Sequence, residues 1–424
     1  MRYGILFFGF LFVLLPMDAL ARFAKRPGNV PIERLEANVE GFLASHPDDA
    51  NAHYVLGRLF CIAYVQRGDA IRLWPGSDAA LPSFQDPQPG VALQTPSPLR
   101  EVVRIAFDAD PDKDLPEEGR KRIEEVLQKA GVDWTVPSVR AGALCLRKAV
   151  QRYQRALELD PKFTLAQLGI AWCYDELGRN EECIHGYWTA YDTALQADLE
   201  RKDWSRYEGS WHGSVAVDSG TRLLELLKDW TDEGTRTRLA DVRKNLEVLR
   251  AKIAAGSRHI TPILVPFMAV DSLASLLAPE RNVRFDLRGD GSTDLWPWVR
   301  PEAGFLVWDP DRDGKITSGL QLFGHITWYI PFRNGYEPLA LLDDNRDGWI
   351  RGAERGGLAI WRDVNQDGIS QPGEVVPVEE AGIEELGTRW DEGPDGASCQ
   401  DGVRFADGTR RPTFDWFPQA AKRP

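Results

Sequence analysis

Cysteine is scarce in this chain, and the cysteines present form no metal or redox motif. Cys61, Cys145, Cys173, Cys183 and Cys399 are odd in number and contain no C-x-x-C pair. The first four sit in apolar helical patterns, where a buried thiol is the commoner outcome. The six histidines are scattered without an H-E-x-x-H, so no local zinc signature exists. There is no G-x-S-x-G and no glycine-rich phosphate cradle, and no catalytic constellation is legible. Positive charge is in deficit. A net charge of −13 argues against nucleic acid as a partner, because phosphate binding calls for a basic face. Long apolar runs are missing too. The run at residues 4–15 has 12 residues, too few to span a bilayer. Arg2 precedes it and Ala19-Leu-Ala21 follows it, so residues 1–21 read as a cleaved signal peptide. Export to the periplasm or beyond, with no span in the mature chain, is the expectation.

What the chain does contain is helical grammar, followed by acidic loops. Residues 32–44 place Ile32, Leu35, Val39, Phe42 and Leu43 at helical spacing, and residues 50–65 continue the pattern. Residues 68–100 are rich in proline, glycine, serine and aspartate and read as an irregular excursion. A charged helix over Glu117–Ala130 follows, with Ile123, Val126 and Leu127 on one side. Further on, with Thr164 as position 1 of a 34-residue unit, Ala171, Cys183 and Ala190 fall at positions 8, 20 and 27, and Tyr174 and Tyr187 at 11 and 24. Ala149, Tyr153, Ala156 and Pro161 occupy the matching places one unit earlier. This resembles the tetratricopeptide repeat, whose small residues let antiparallel helices approach closely. An irregular helical bundle is the rival reading. Residues 220–255 form an expected helical hairpin. Leu223, Leu224, Leu227 and Trp230 make one stripe, and Leu239, Val242, Leu246, Leu249 and Ile253 the other.

The texture changes near residues 256–260. From Arg281 onward there are 25 acidic against 17 basic residues, and elements become short. An apolar helix is expected just after Pro266. Three loops then share D-x-[DN]-x-D-G: DPDRDG at 309–314, DDNRDG at 343–348 and DVNQDG at 363–368. That spacing sets oxygen ligands at positions 1, 3 and 5, with a glycine at 6 for the turn. In the second loop Asp343, Asn345 and Asp347 are followed by the Trp349 carbonyl at 7 and Glu354 at 12, so Arg351 at 9 should point away from an ion. In the third, Asp363, Asn365 and Asp367 are followed by the Ile369 carbonyl and Glu374, with Pro372 reshaping the exit. The first loop supplies Asp309, Asp311, Asp313 and the Lys315 carbonyl. It has Leu320 at 12 and Gln321 at 13, so it lacks a closing carboxylate. One short helix at about 353–361 is expected to join the second and third loops. Asp286 to Gly291 is a degenerate further copy.

The motifs FDLRGDG, WPWV, GFLVWDPDRDG, SGLQLFG, NGYEPLALLDDNRDG, IWRDVNQDGIS and GEV carry a second resemblance. Residues 285–383 resemble the EF-hand-like calcium-binding regions of large exported bacterial proteins, including those linked to hemolysin-type and dockerin-like calcium repeats. The resemblance implies Ca2+ in an extracytoplasmic setting and no reaction. A hairpin about Asp407-Gly408 closes the chain.

The expected fold is thus a mainly α N-terminal part of tetratricopeptide-like hairpins plus a loop-rich, small α+β C-terminal domain with EF-hand-like loops. Its divisions are 22–67 for the first helices, 68–137 for the insertion, 138–195 for the repeat, 196–256 for the hairpin and 257–424 for the calcium-binding domain. The expected function is a non-enzymatic calcium-binding protein with a protein partner in its helical groove. The alternative is an enzyme or carbohydrate-binding protein with structural calcium, since Trp308, Trp328, Trp349, Trp361, Trp390 and Trp416 could stack on sugars.

Overall fold

The computed structural model describes residues 30–66, 70–71, 97–109, 115–131, 134–204, 213–256, 259–289, 291 and 293–418. Residues 1–21, expected to be a signal peptide, and most of the 68–100 excursion lie outside the described residues. The described residues form a helical N-terminal half and a C-terminal half built on an antiparallel sheet. No helix among them is long and apolar enough to cross a membrane.

Two short strands, β1 (Val30–Pro31) and β2 (Ala70–Ile71), pair antiparallel beside the first helices. Helix α1 (Ile32–Ser45) buries Ile32, Leu35, Val39 and Leu43. Phe42, expected in the same stripe, is instead 39% exposed and stacks on His46 at 4.3 Å. Helix α2 (Ala50–Gln66) is apolar nearly all round and accordingly buried. Next come α3 (Ser97–Asp108), α4 (Glu117–Ala130), α5 (Val136–Leu159), α6 (Thr164–Glu176), α7 (Asn180–Glu200), α8 (Val215–Leu226) and α9 (Glu233–Ala255). Helix α2 packs on α5, and from α5 to α9 each helix packs on the next.

Small residues set these approaches. Tyr153 of α5 is clamped between Gly57 of α2 and Gly169 of α6, where an added Cβ would come within 2.5 and 2.6 Å of its ring. Side-chain caps begin several helices: Thr135 accepts from the Ser138 amide, Ser214 from Val217 and Asp232 from Thr235. The α9 seam of Leu239, Val242, Leu246, Leu249 and Ile253 is buried throughout, whereas Trp230, placed by spacing on the α8 stripe, is 54% exposed beyond that helix's end. All five cysteines are unbridged, and Cys61, Cys173 and Cys183 are buried.

The sheet half has strands β3 (Ile263–Pro266), β4 (Leu277–Phe285), β5 (Asp294–Val299), β6 (Ala303–Trp308), β7 (Trp349–Arg351), β8 (Leu358–Trp361), β9 (Val375–Pro377), β10 (Ile383–Gly387), β11 (Asp391–Gly393), β12 (Gly396–Phe405) and β13 (Arg410–Asp415). Nine of them form one sheet in the order β7-β10-β12-β13-β3-β6-β8-β9, with β11 on the edge of β12. Strands β4 and β5 make a separate hairpin. The only α-helix among the described residues of this half is α10 (Tyr336–Ala340).

Two expected helices are absent. After Pro266 the chain makes only a 3-10 turn at Leu273–Leu276. The helix drawn at 353–361 is a 3-10 turn, Gly352–Arg355, and then β8. Gly357 has φ 90°, which stops a helix, and the four residues of Leu358–Trp361 are all buried as a central strand.

Tryptophans fill the centre. Trp296, Trp298 and Trp361 are fully buried and pack with Phe285, Phe305 and Trp416, while Trp308, Phe323 and Trp328 meet edge to face. One contiguous apolar core joins α1, α2 and α5 to Leu342, Ile350, Ile360 and Leu386 of the sheet half.

Candidate metal centre

The three acidic loops adopt the same turn. Call them loop A (residues 309–321), loop B (343–354) and loop C (363–374). In each, the position-1 aspartate accepts two backbone N–H groups. Asp309 accepts from Asp313 and Gly314, both at 3.1 Å. Asp343 accepts from Asp347 at 3.2 Å and Gly348 at 2.8 Å. Asp363 accepts from Asp367 at 3.1 Å and Gly368 at 2.7 Å. The position-5 aspartates accept the amides of Lys315, Trp349 and Ile369 at 2.9, 2.9 and 2.8 Å. Position 4 takes a left-handed backbone each time: Arg312 φ 54°, Arg346 φ 59° and Gln366 φ 59°. The position-6 glycines follow at 65°, 91° and 75°. Asn345 and Asn365 at position 3 accept the position-5 amide as well.

Closure separates the loops. Glu354 folds back so that one oxygen accepts the amides of Asp344 and Asn345 at 2.9 and 3.3 Å, while the other accepts Arg351 N–H at 2.9 Å. Glu374 does the same in loop C, taking Val364 and Gln371 amides at 3.0 Å each. Loop A has no such return. Its position 2 is Pro310, which has no N–H to offer. Gln321 instead caps Thr317 and Ser318 with its oxygen and donates its amide to the Lys315 carbonyl at 2.6 Å. A donor thus occupies the carbonyl that loops B and C carry at position 7. Asp311 and Asp313 remain on an exposed rim. The degenerate copy contributes Asp286, which is buried and accepts from Ser318 Oγ at 2.9 Å. Asp290 lies outside the described residues.

Burial pushes the carboxyls of Asp309, Asp343 and Asp363 above the usual range. The amides they accept pull the other way, and neighbouring acids push further up. Loop C is anchored in the core by Trp298, whose indole N–H donates to Asp363 at 2.6 Å. One expectation needs correction. Arg351 does not point away from loop B: its guanidinium sits 3.1 Å from Asp347 Oδ2, and β7, the strand it ends, pairs it with Glu385 of β10. In loop C the outer oxygen of Asp367 is held by the amides of Asn365 and Gln371, at 2.9 and 2.7 Å.

Among the described residues, no three histidine, cysteine, aspartate or glutamate side chains gather closely enough to hold an ion by themselves. Loops B and C fit a cation only with the asparagine and a main-chain carbonyl completing the set, an all-oxygen donor group of the kind hard cations take. In that set Asp343, Asn345, Asp347, the Trp349 carbonyl and Glu354 would hold one ion, and Asp363, Asn365, Asp367, the Ile369 carbonyl and Glu374 the other. The donors of Gln321 and the missing amide of Pro310 make loop A a poor fit.

Spacing gave no sign of Arg34 and Asn38, which α1 brings onto loop B. It also overvalued the tryptophans as a surface: Trp308, Trp328, Trp361 and Trp416 are buried. In the helical half a cleft of about 890 Å³ is lined by Leu115, Arg120, Leu127, Trp134 and Arg140.

Residues 271–411, about a third of the chain, match the family model of the SPM domain, and the match spans all the acidic loops. The chain is also similar to the iron-regulated protein FrpA of Neisseria meningitidis serogroup C, with 40% identity over 138 residues. That likeness covers 31% of this chain and 12% of the relative, so the chain spans about an eighth of the protein it matches.

Proposed function

We propose that the chain is an exported, non-enzymatic calcium-binding protein. Loops B and C bind Ca2+ chiefly to stabilise the sheet half, and the helical half is a tetratricopeptide-like scaffold for a protein partner. The carrying observation is the closure of both loops. In each, a position-12 carboxylate returns to the position-2 amide while positions 1 and 5 turn their carboxylates toward the same turn. Burial and the neighbouring acids leave Asp343 and Asp363 short of a counter-charge, which a divalent ion would supply. The sequential packing of α5 to α9 and the cleft beside α4 support the scaffold reading. Burial of four tryptophans weighs against a sugar-stacking surface.

Calorimetric titration of the full chain with calcium chloride is the test. Two sites are expected, with one lost in Asp347→Ala and the other in Asp367→Ala. A chain that takes up no calcium at millimolar concentration would overturn the reading.

A further inference from the structure

Loop B is the acidic loop that the helical half grips. Asp344, its exposed second residue, accepts from Arg34 Nε at 2.7 Å and from Asn38 Nδ2 at 2.8 Å. Asn38 also donates to the Leu341 carbonyl at 2.9 Å, just ahead of the loop. Arg34 Nη2 donates to the Leu342 carbonyl at 2.8 Å and reaches the carbonyl of Glu354, the closing residue, at 3.5 Å. The guanidinium of Arg346, at position 4, lies against Gly41. Residues 34, 38 and 41 lie along one face of α1. Together they hold the start, the second and fourth positions and the end of one loop. Loop C is braced differently, from within the sheet half, by Trp298 and by Gln366 on the Val299 carbonyl.

We propose that α1 is a working part of loop B: Arg34 and Asn38 are positioning residues that set its calcium affinity, and calcium in turn fixes α1 on the sheet half. This rests on the calcium reading above. Glu354 closes the loop by accepting the amides of Asp344 and Asn345, and Arg34 and Asn38 hold Asp344 from outside. A loop so held loses less freedom when an ion arrives, and preorganisation of this kind appears as affinity. Two effects oppose each other when the grip is removed. Loss of order weakens binding, while deleting a cation near the ion strengthens it. The Arg34–Asp344 pair is partly exposed and screened, so the charge effect is small. Removing both partners keeps the net charge and leaves the loss of order alone. Linkage then requires the converse, that occupied loop B holds α1 more tightly.

The test is a calcium chloride titration of the full chain against Arg34→Ala/Asp344→Ala, with melting curves to establish folding. The expected result is weakening on the order of ten-fold at one site, with the other unchanged. Amide exchange of α1, measured in Asp367→Ala so that only loop B responds, should slow on adding calcium. Absence of binding in the parent chain would defeat the calcium reading itself. Two sites with unaltered affinities in the double variant, or α1 exchange indifferent to calcium in Asp367→Ala, would defeat the role of α1 and leave that reading standing.

Discussion

Single residues decide what each acidic loop can do. Loop A and loop B share five of six motif positions by type, yet Pro310 removes the amide to which a closing carboxylate would return, and Gln321 fills the position-7 carbonyl with a donor. The D-x-[DN]-x-D-G turns were legible because each bond spans five residues or fewer and follows from local backbone conformation. Arg351 on Asp347 was not legible, because the pull of Glu385 comes from β10, a strand distant in sequence. Asn38 on Asp344, 306 positions apart, lies further still beyond any spacing rule.

The same scale fixes the pH response of the calcium-free chain. Burial raises the Asp363 carboxyl in the folded chain above its unfolded value. Its ionised form therefore destabilises the fold above the folded pKa, and that penalty is relieved as pH falls toward the unfolded value. Glu385 has the opposite sign. Arg404, assisted by Arg351 and Arg410, holds it below the usual range, so its stabilisation is present above the unfolded pKa and lost as pH falls through the folded one. Urea midpoints measured from neutral pH into the carboxylate range should separate the two. Relative to the parent, Asp363→Asn should be at its best near neutrality and lose ground in acid, while Glu385→Gln should be at its worst near neutrality and recover. Parallel slopes for the two variants would contradict these assignments.

Among elements, the helices were legible wherever the apolar stripe was continuous, as in α9 and in Glu117–Ala130, where Ile123 and Leu127 are buried. Misreadings fell at stripe ends, Phe42 and Trp230, where the last turn leaves the core. The lost helix at 353–361 is a different failure. Short apolar runs suit a buried strand as well as a helix, and Gly356-Gly357 decides against the helix. Close helix contacts give an element-level prediction. Gly57→Ala should destabilise the chain by about 1–3 kcal/mol, because its Cβ would meet the Tyr153 ring, which Gly169 blocks from behind. Gly119→Ala, on α4, has only Ile105 at 3.8 Å and should instead stabilise by about 0.5–1 kcal/mol. Thermal melts followed by circular dichroism would read both, and the same sign for the two would refute the packing argument.

At the scale of the whole molecule, the change of texture near residues 256–260 marks a change of secondary structure and not an end of the core. Helix α9 stops at Ala255 and β3 starts at Ile263, yet the apolar residues of α1, α2 and α5 belong to one cluster with Ile350, Ile360 and Leu386. Two halves joined through a shared core lose stability together, because exposing one strips apolar contact from the other. Calcium bound only to the sheet half would then protect the helical half as well. A ligand at 100 times its dissociation constant adds about 2.7 kcal/mol per site to whatever unfolds with that site. Far-UV circular dichroism reports mainly the helices, whereas eight of the 15 tryptophans, including the buried Trp296, Trp298, Trp328 and Trp361, lie in the sheet half, so fluorescence gives that half more weight. The two probes should give one coincident transition without calcium, and both should move upward by the same interval when calcium chloride is added. A fluorescence transition that rises alone, leaving the helical signal where it was, would mean that the common core transmits no stability between the halves, and that α1 rests on loop B without depending on it.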